Sequence, residues 1–171
     1  MATQNRMNNS TGNLGQVLTG NTSTPATFQN ISALSYTSVT LTSLQIKNLH
    51  ATPITIVPAP GANMYIWPIR VVTKFNYGGN NVFVAGAGQY VYLYLGTAFQ
   101  TLSSSILDAT GVTASSNNYT YASCTYNTAA NAATVINKSL NAKNVIATEI
   151  SGNASNDNTI TIGVWYNTYS T

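Results

Sequence analysis

The sequence holds few of the side chains that carry out chemistry. Only 5% of its residues are charged, and the chain has one cysteine, one histidine and three carboxylates. A lone cysteine excludes an intramolecular disulfide, and the clustered cysteine and histidine residues that bind zinc are missing. We therefore expect no metal ion, no cofactor and a fold stabilised by packing.

The scarcity of titratable groups also limits catalytic arrangements. A nucleophilic cysteine would need Cys124 and His50, but Cys124 lies in a strand-like run where a small buried thiol is the usual interpretation. No Gly-x-Ser-x-Gly elbow supports a serine triad, and His50 fits better at the end of a short helix, beside free carbonyl groups. Two carboxylates for glycoside hydrolysis would have to come from Asp108, Glu149 and Asp157, the last in an Asn-rich turn. The sequence therefore predicts no catalytic residues and no enzymatic activity.

Basic residues are also sparse and are scattered along the chain. Six Lys and Arg residues against three acidic ones give a net charge of +3, whereas nucleic-acid binders usually carry a dense basic stripe. No stretch approaches the roughly 18 apolar residues that span a bilayer, and the first residues lack the apolar core of a signal peptide. We expect neither nucleic acid nor a membrane as a partner.

Asn, Thr and Ser, by contrast, make up about 37% of the chain and are frequent in its first 35 residues. That segment sustains neither the period of a strand nor that of a helix. We interpret residues 1–35 as a flexible or extended N-terminal arm, which either has no role or orders by lying across a neighbouring subunit. Residues 36–171 then form one folded domain.

The rest of the sequence alternates short apolar runs with turn signals. One short helix is predicted at about 43–49, because Thr42 precedes Gln45 by three residues in a capping box and Pro53 limits the end. Strands are predicted at 54–57, 64–75, 82–84, 89–95, 119–126, 135–140, 144–150 and 158–166. Seven or eight short strands with one helix predict an all-β fold, namely an antiparallel, jelly-roll-like β-sandwich.

The longest predicted strand has two different faces. Arg70 and Lys74 share one face, and Pro68 indicates an edge or a bulge within the strand. The other face is predicted to carry Tyr65, Trp67, Ile69, Val71 and Phe75.

A row of tyrosines is a candidate protein interface. Tyr90, Tyr92 and Tyr94 alternate along one predicted strand, and tyrosine suits interfaces because it combines an apolar ring with a hydroxyl that tolerates water. The same three residues also suit a core face of the second sheet.

A second candidate surface is a glycan-binding patch. Lectin-like sandwiches use Tyr, Trp and Asn on loops without charged catalysts, and Trp67, Tyr77, Asn80 and Asn81 offer these residue types. The alternative interpretation is that they are solvated turn residues.

The segment Val39–Ala62 contains the pattern Leu-Thr, Gln-Ile, Leu, Thr-Pro and Val-Pro-Ala-Pro-Gly. It resembles a segment of small virion structural proteins of tailed bacteriophages. Later matches are Asn76-Tyr77-Gly78, the run from Ile136 to Leu140 and the run from Thr159 to Tyr166. The resemblance covers roughly residues 38–168, which is the folded domain without the arm.

This resemblance implies a capsid decoration or cement protein that is made in the host cytoplasm and binds the outside of the phage head. The implied partners are the major capsid protein, other virion proteins and further copies of the chain, with a trimer suited to a three-fold position of the capsid. The alternative that stays open is a tail or fibre component that binds host surface glycans.

Overall fold

The computed structural model describes residues 16–19, 27–30, 34–96, 105–124 and 135–171. It divides into two units, Met1–Ala33 and Leu34–Thr171. In the first unit, strand β1 (Gln16–Thr19) pairs antiparallel with β2 (Thr27–Asn30). Both strands belong to the segment for which the sequence predicts an arm, and its ordering on a neighbouring subunit stays a prediction.

The second unit consists of antiparallel sheets with two short helices. Its elements are β3 (Ser35–Leu41), α1 (Ser43–Lys47), β4 (Ile54–Val57), β5 (Met64–Asn76), β6 (Phe83–Val84), β7 (Val91–Leu95), α2 (Ala109–Val112), β8 (Asn118–Ser123), β9 (Leu140–Asn144), β10 (Ser151–Gly152) and β11 (Thr159–Ser170). The strands form a four-stranded sheet, β3-β11-β5-β8, a three-stranded sheet, β4-β9-β7, and the pair β6-β10. The predicted all-β antiparallel sandwich is confirmed.

The strand order is that of a jelly roll. Leaving out the short pair β6-β10, successive strands alternate between the two larger sheets, and the last strand, β11, lies between β3 and β5. Seven described strands thus follow the double Greek-key order of the eight-stranded fold. At the remaining edge of the three-stranded sheet, Val91 forms an isolated antiparallel bridge with Leu107, to whose carbonyl the Val91 N–H donates at 2.9 Å.

The hydrophobic core lies between these two sheets, as the period of two in the strands requires. The four-stranded sheet contributes Leu41, Val71, Phe75, Ile160, Ile162 and Val164. The three-stranded sheet contributes Ile56, Val57, Val91, Leu93, Leu95, Leu140 and Ala142. Where inward and outward side chains alternate regularly, as in β3 and β9, the same pattern fixes the outer face of the sheet.

Helix α1 begins as the sequence predicts. The Thr42 hydroxyl accepts the Gln45 N–H at 3.4 Å, and the Gln45 side-chain oxygen accepts the Thr42 N–H at 2.9 Å. Helical residues end at Lys47, with Asn48 as the C-cap, two residues before the predicted end. The buried side chain of Ile46 then attaches the helix to the core.

The capping box provides a first test of the fold. Replacing Thr42 with alanine is expected to lower the free energy of unfolding by about 1 kcal/mol, because the Gln45 N–H loses the hydroxyl that accepts its hydrogen bond. Urea denaturation followed by circular dichroism measures this change. Thr42→Ser keeps the hydroxyl and should stay close to the parent, so an equal loss in both variants would contradict the capping role.

Strand β5 contains a bulge that corrects the predicted face. Trp165 pairs with Arg70, whereas the next residue, Tyr166, pairs with Pro68, so Ile69 is the extra residue. This shifts the alternation by one, which turns Trp67 and Ile69 to solvent although Val71 and Phe75 are buried as predicted. The expectation that Tyr65, Trp67 and Ile69 share the inner face with Val71 and Phe75 is therefore wrong, since Tyr65 also lies before the bulge and stacks on the exposed Tyr169. The bulge indicated by Pro68 is confirmed.

Other differences concern short elements. Helix α2 was not predicted, and it begins where the Asp108 side chain accepts the Gly111 N–H at 2.8 Å. The strands predicted at 135–140 and 144–150 are replaced by the single strand β9 at Leu140–Asn144. The buried Asn144 amide donates to the Thr148 carbonyl at 3.0 Å, which ties the chain into bends after β9.

Candidate interaction surface

The outer face of the four-stranded sheet carries seven aromatic side chains and two cations, and we call it the aromatic face. Its position follows from the pairing, because the residues between its members, such as Ile66, Ile162 and Val164, are buried in the core. The aromatic face consists of Tyr36 on β3, Trp165 and Tyr169 on β11, Tyr65, Trp67, Arg70 and Lys74 on β5, and Tyr119 and Tyr121 on β8.

A ladder of rings and one guanidinium crosses the middle of the aromatic face. The rings of Tyr36 and Trp165 lie 4.6 Å apart, centroid to centroid. The Arg70 guanidinium lies 5.8 Å from the Trp165 ring and 5.3 Å from the Tyr121 ring. At Gly163 a side chain would come within 2.6 Å of the Tyr36 hydroxyl, so glycine provides the room in which Tyr36 lies across β11.

Two smaller groups flank this ladder. The Lys74 ammonium lies 5.6 Å from the Tyr119 ring, a cation–π distance. Toward the other end of the sheet the Tyr65 and Tyr169 rings stack with centroids 5.6 Å apart. Trp67 lies two residues after Tyr65 on β5 and pairs with Asn167 on β11. The aromatic face is therefore continuous along β5 and β11.

The aromatic face is open to solvent. All five exposed aromatic side chains in the described part of the chain lie on it, namely Tyr36, Trp67, Tyr119, Tyr121 and Tyr169, and Tyr121 is 66% exposed. Contiguous exposed apolar surface of this kind is characteristic of interaction sites. Tyr, Trp and Arg are also the residue types that dominate binding energy at protein interfaces.

The charge on this surface is of one sign only. Of the three acidic side chains in the sequence, Asp108 caps α2, Glu149 accepts the N–H groups of His50 and Ala51 at 2.9 and 2.7 Å, and Asp157 accepts the Asn80 amide at 3.0 Å. None of them lies on the four strands that build the aromatic face. Arg70 and Lys74 thus have no carboxylate of their own chain as a partner.

The predicted tyrosine row lies on the other sheet. Ring centroids of Tyr90 and Tyr92 are 6.1 Å apart, and those of Tyr92 and Tyr94 are 6.4 Å apart. Tyr94 is only 3% exposed, and burial, with a smaller effect of Tyr92, raises its pKa to about 12. This row is therefore partly covered within the chain, and its use as an interface stays a prediction.

The residues of the predicted glycan patch are not brought together. Trp67 lies on the aromatic face near the start of β5, whereas Tyr77, Asn80 and Asn81 follow its end, roughly 30 Å of strand away. Asn81 is already bonded within the fold, because its carbonyl accepts the side-chain amides of Asn156 and Asn158 at 2.9 and 2.7 Å.

Cys124 and His50, the candidate catalytic pair, are both half-buried. The His50 ring contacts the Asn144 carbonyl through Nδ1 at 3.0 Å, so it does not cap α1 as the sequence suggested. Burial raises the pKa of the Cys124 thiol to about 12, the opposite of what a nucleophile needs. Among the described residues, no group of three or more His, Cys, Asp or Glu side chains is placed to hold a metal ion.

The raised pKa values predict a stability profile. The ordinary pKa values of a cysteine thiol and a tyrosine hydroxyl are 9.0 and 10.0, and burial raises those of Cys124 and Tyr94 to about 12 in the folded chain. The unfolded chain therefore loses these protons first, so their contribution to stability is complete below pH 9 and is lost as the pH rises toward 12. Urea unfolding from pH 7 to 11.5 should show this decline, and Cys124→Ala should have a shallower one. Equal slopes for the two proteins would contradict the assignment to the thiol.

Sequence reasoning found only part of the aromatic face. It placed Arg70 and Lys74 on one face of β5 but did not single out Tyr36, Tyr121 or Trp165. Two signals in the sequence point to this face. Tyr119 and Tyr121 are two residues apart, so they share one face of a strand, and Trp165 is out of phase with the apolar residues Ile160, Ile162 and Val164, so it lies on the opposite face from them.

Comparisons with family models, with curated proteins and with solved structures find no match to this chain. In the part of the chain that the structure describes, no helix has the length and apolar character needed to cross a membrane. The function is therefore argued from the fold and the aromatic face.

Proposed function

We propose that this chain is a non-enzymatic structural protein of a bacteriophage virion, a decoration protein that binds the outside of the head and stabilises it. The observation that carries the proposal is the aromatic face, an exposed surface of Tyr, Trp and Arg on a rigid sheet. A protein that binds only the assembled shell shifts the equilibrium toward that shell, so docking through this face would strengthen the head.

The fold supports this role by analogy. Jelly rolls are common in viral capsid proteins and in lectins, so the architecture fits a virion component without specifying one. The resemblance of Val39–Ala62 to small phage virion proteins narrows the choice. The described residues add an exposed aromatic surface on the outer face of the four-stranded sheet.

Self-association belongs to the same proposal. A trimer would match a three-fold or quasi-three-fold position on a capsid and would engage three neighbouring capsid subunits at once. The predicted arm could add contacts across a subunit boundary. Residues 1–33 form a separate unit in the structure, so their deletion is a practical test.

The deciding experiment is the copy number of this chain in purified virions. Heads and tails are separated, and quantitative mass spectrometry measures the chain in each fraction against the major capsid protein. A head-associated number comparable to that of the capsid protein supports decoration. A few copies confined to the tail would favour the tail or fibre alternative, and absence from both fractions would refute a virion role.

A further inference from the structure

The guanidinium of Arg70 is held in place by rings and is left with its hydrogen-bond donors unused. It lies between the Tyr121 and Trp165 rings, at 5.3 and 5.8 Å, on the exposed surface of β5. Within the described part of the chain, the Arg70 guanidinium makes no hydrogen bond and no ion pair with another protein group. The side chain is exposed, so the two rings position it while its N–H donors face solvent.

Such a group is suited to a carboxylate. A planar guanidinium presents parallel N–H donors that match both oxygens of a carboxylate, and flanking rings reduce the entropy lost when the two groups bind. Lys74 lies four residues further along β5, beside Tyr119, and adds a second positive charge on the same face. The chemistry of the face therefore favours an acidic, partly apolar partner.

The positive charge of Arg70 and Lys74 also favours some binding partners of the aromatic face over others. A second copy of this chain offers little to Arg70, because the three acidic side chains are each bonded to groups of their own fold. Nucleic acid is disfavoured because two cations can neutralise only a few phosphates. An acidic protein surface satisfies both the cations and the aromatic rings.

We propose that the aromatic face docks on an acidic surface of the capsid shell, where a carboxylate of the shell protein binds the Arg70 guanidinium in a two-bond fork. This inference rests on the proposed function and specifies its contact. Tyr121 and Trp165 form the walls of the carboxylate site, and Lys74 steers the approach of the acidic surface.

The test measures binding of the fluorescently labelled chain to purified head shells that lack it. Arg70→Ala is expected to weaken binding at least 30-fold, and Arg70→Lys at least fivefold, since an ammonium keeps the charge but not the fork. Lys143→Ala is the matched control, because it removes one positive charge from the other sheet and should change binding less than twofold. Circular dichroism and urea midpoints verify that each variant is folded.

Two further measurements separate the inference from the proposed function. Amidation of the shell's carboxylates should reduce wild-type binding to the level of Arg70→Ala and leave that variant unchanged. Wild-type binding to untreated shells, together with Arg70→Ala binding within twofold of it, would overturn the carboxylate contact while leaving decoration intact. Absence of wild-type binding to shells would refute the decoration role itself, and tighter binding to a single-stranded 30-nucleotide DNA than to shells would overturn the acidic-protein partner.

Discussion

Replacing Trp165 with alanine is expected to weaken binding to head shells by about two orders of magnitude. Trp165 occupies the centre of the aromatic face, where its ring contacts Tyr36 at 4.6 Å and supports Arg70 at 5.8 Å. Its removal deletes apolar contact area and also frees the guanidinium, so two contributions are lost together. Titration of shells with labelled protein measures the change.

The control for this variant is an exposed apolar residue that lies elsewhere. Leu44 on α1 is 67% exposed, so Leu44→Ala removes a comparable kind of surface outside the aromatic face. It should bind shells within twofold of the parent. If Trp165→Ala remains folded and binds as tightly as Leu44→Ala, the aromatic face is not the docking surface.

Phe75→Ala is expected to be the most damaging single change to stability, with a loss of about 3–5 kcal/mol. The Phe75 side chain is fully buried, and its ring lies 6.3 Å from that of Phe83, which extends the contact from the four-stranded sheet to the short pair β6-β10. Its strand, β5, is bonded to both β11 and β8, so a cavity there affects a strand that has neighbours on both sides. Since domains of this kind are stable by only about 5–15 kcal/mol, a large share of the total would be lost.

Urea denaturation followed by tryptophan fluorescence measures this loss, because Trp67 lies on the same strand as Phe75 and Trp165 lies on β11, which pairs with that strand. Val82→Ala is the comparison, as Val82 is 40% exposed and should lose far less than Phe75. Equal losses for the two variants would show that Phe75 is not a central core residue.

The alternation of β11 illustrates what could be predicted locally. The period of two in the predicted strand 158–166 puts Ile160, Ile162, Val164 and Tyr166 on one face. In the structure the first three are fully buried, and Tyr166 is partly buried against the core. The same reasoning failed in the first half of β5, where one extra residue at Ile69 reverses the face of Trp67. Pro68 indicated the irregularity, but the sequence does not say where the extra residue is placed, because that depends on pairing with Tyr166.

The loops show the same division. Tyr77, Asn80 and Asn81 were open to interpretation as solvated turn residues, and the sequence predicts a hairpin turn at 152–158. The chain bends at 79–80 and turns at 154–155. Asn158, however, is fully buried, and its side chain bonds the Gly78 N–H at 2.8 Å and the Asn81 carbonyl at 2.7 Å. A buried amide that joins two loops has the same local sequence signature as an exposed turn residue, so only its distant partners distinguish the two.

The sequence by itself determined the all-β class and the capped start of α1, because periodicity and capping are local properties. The tertiary structure decided the aromatic face. Tyr36, Arg70, Tyr121 and Trp165 come from four strands that are far apart in the chain and adjacent only in the sheet order β3-β11-β5-β8. Tyr121 and Trp165 lie beside Arg70 because the register of the strands decides which side chains are cross-strand neighbours. That register is fixed by the whole sheet and its core.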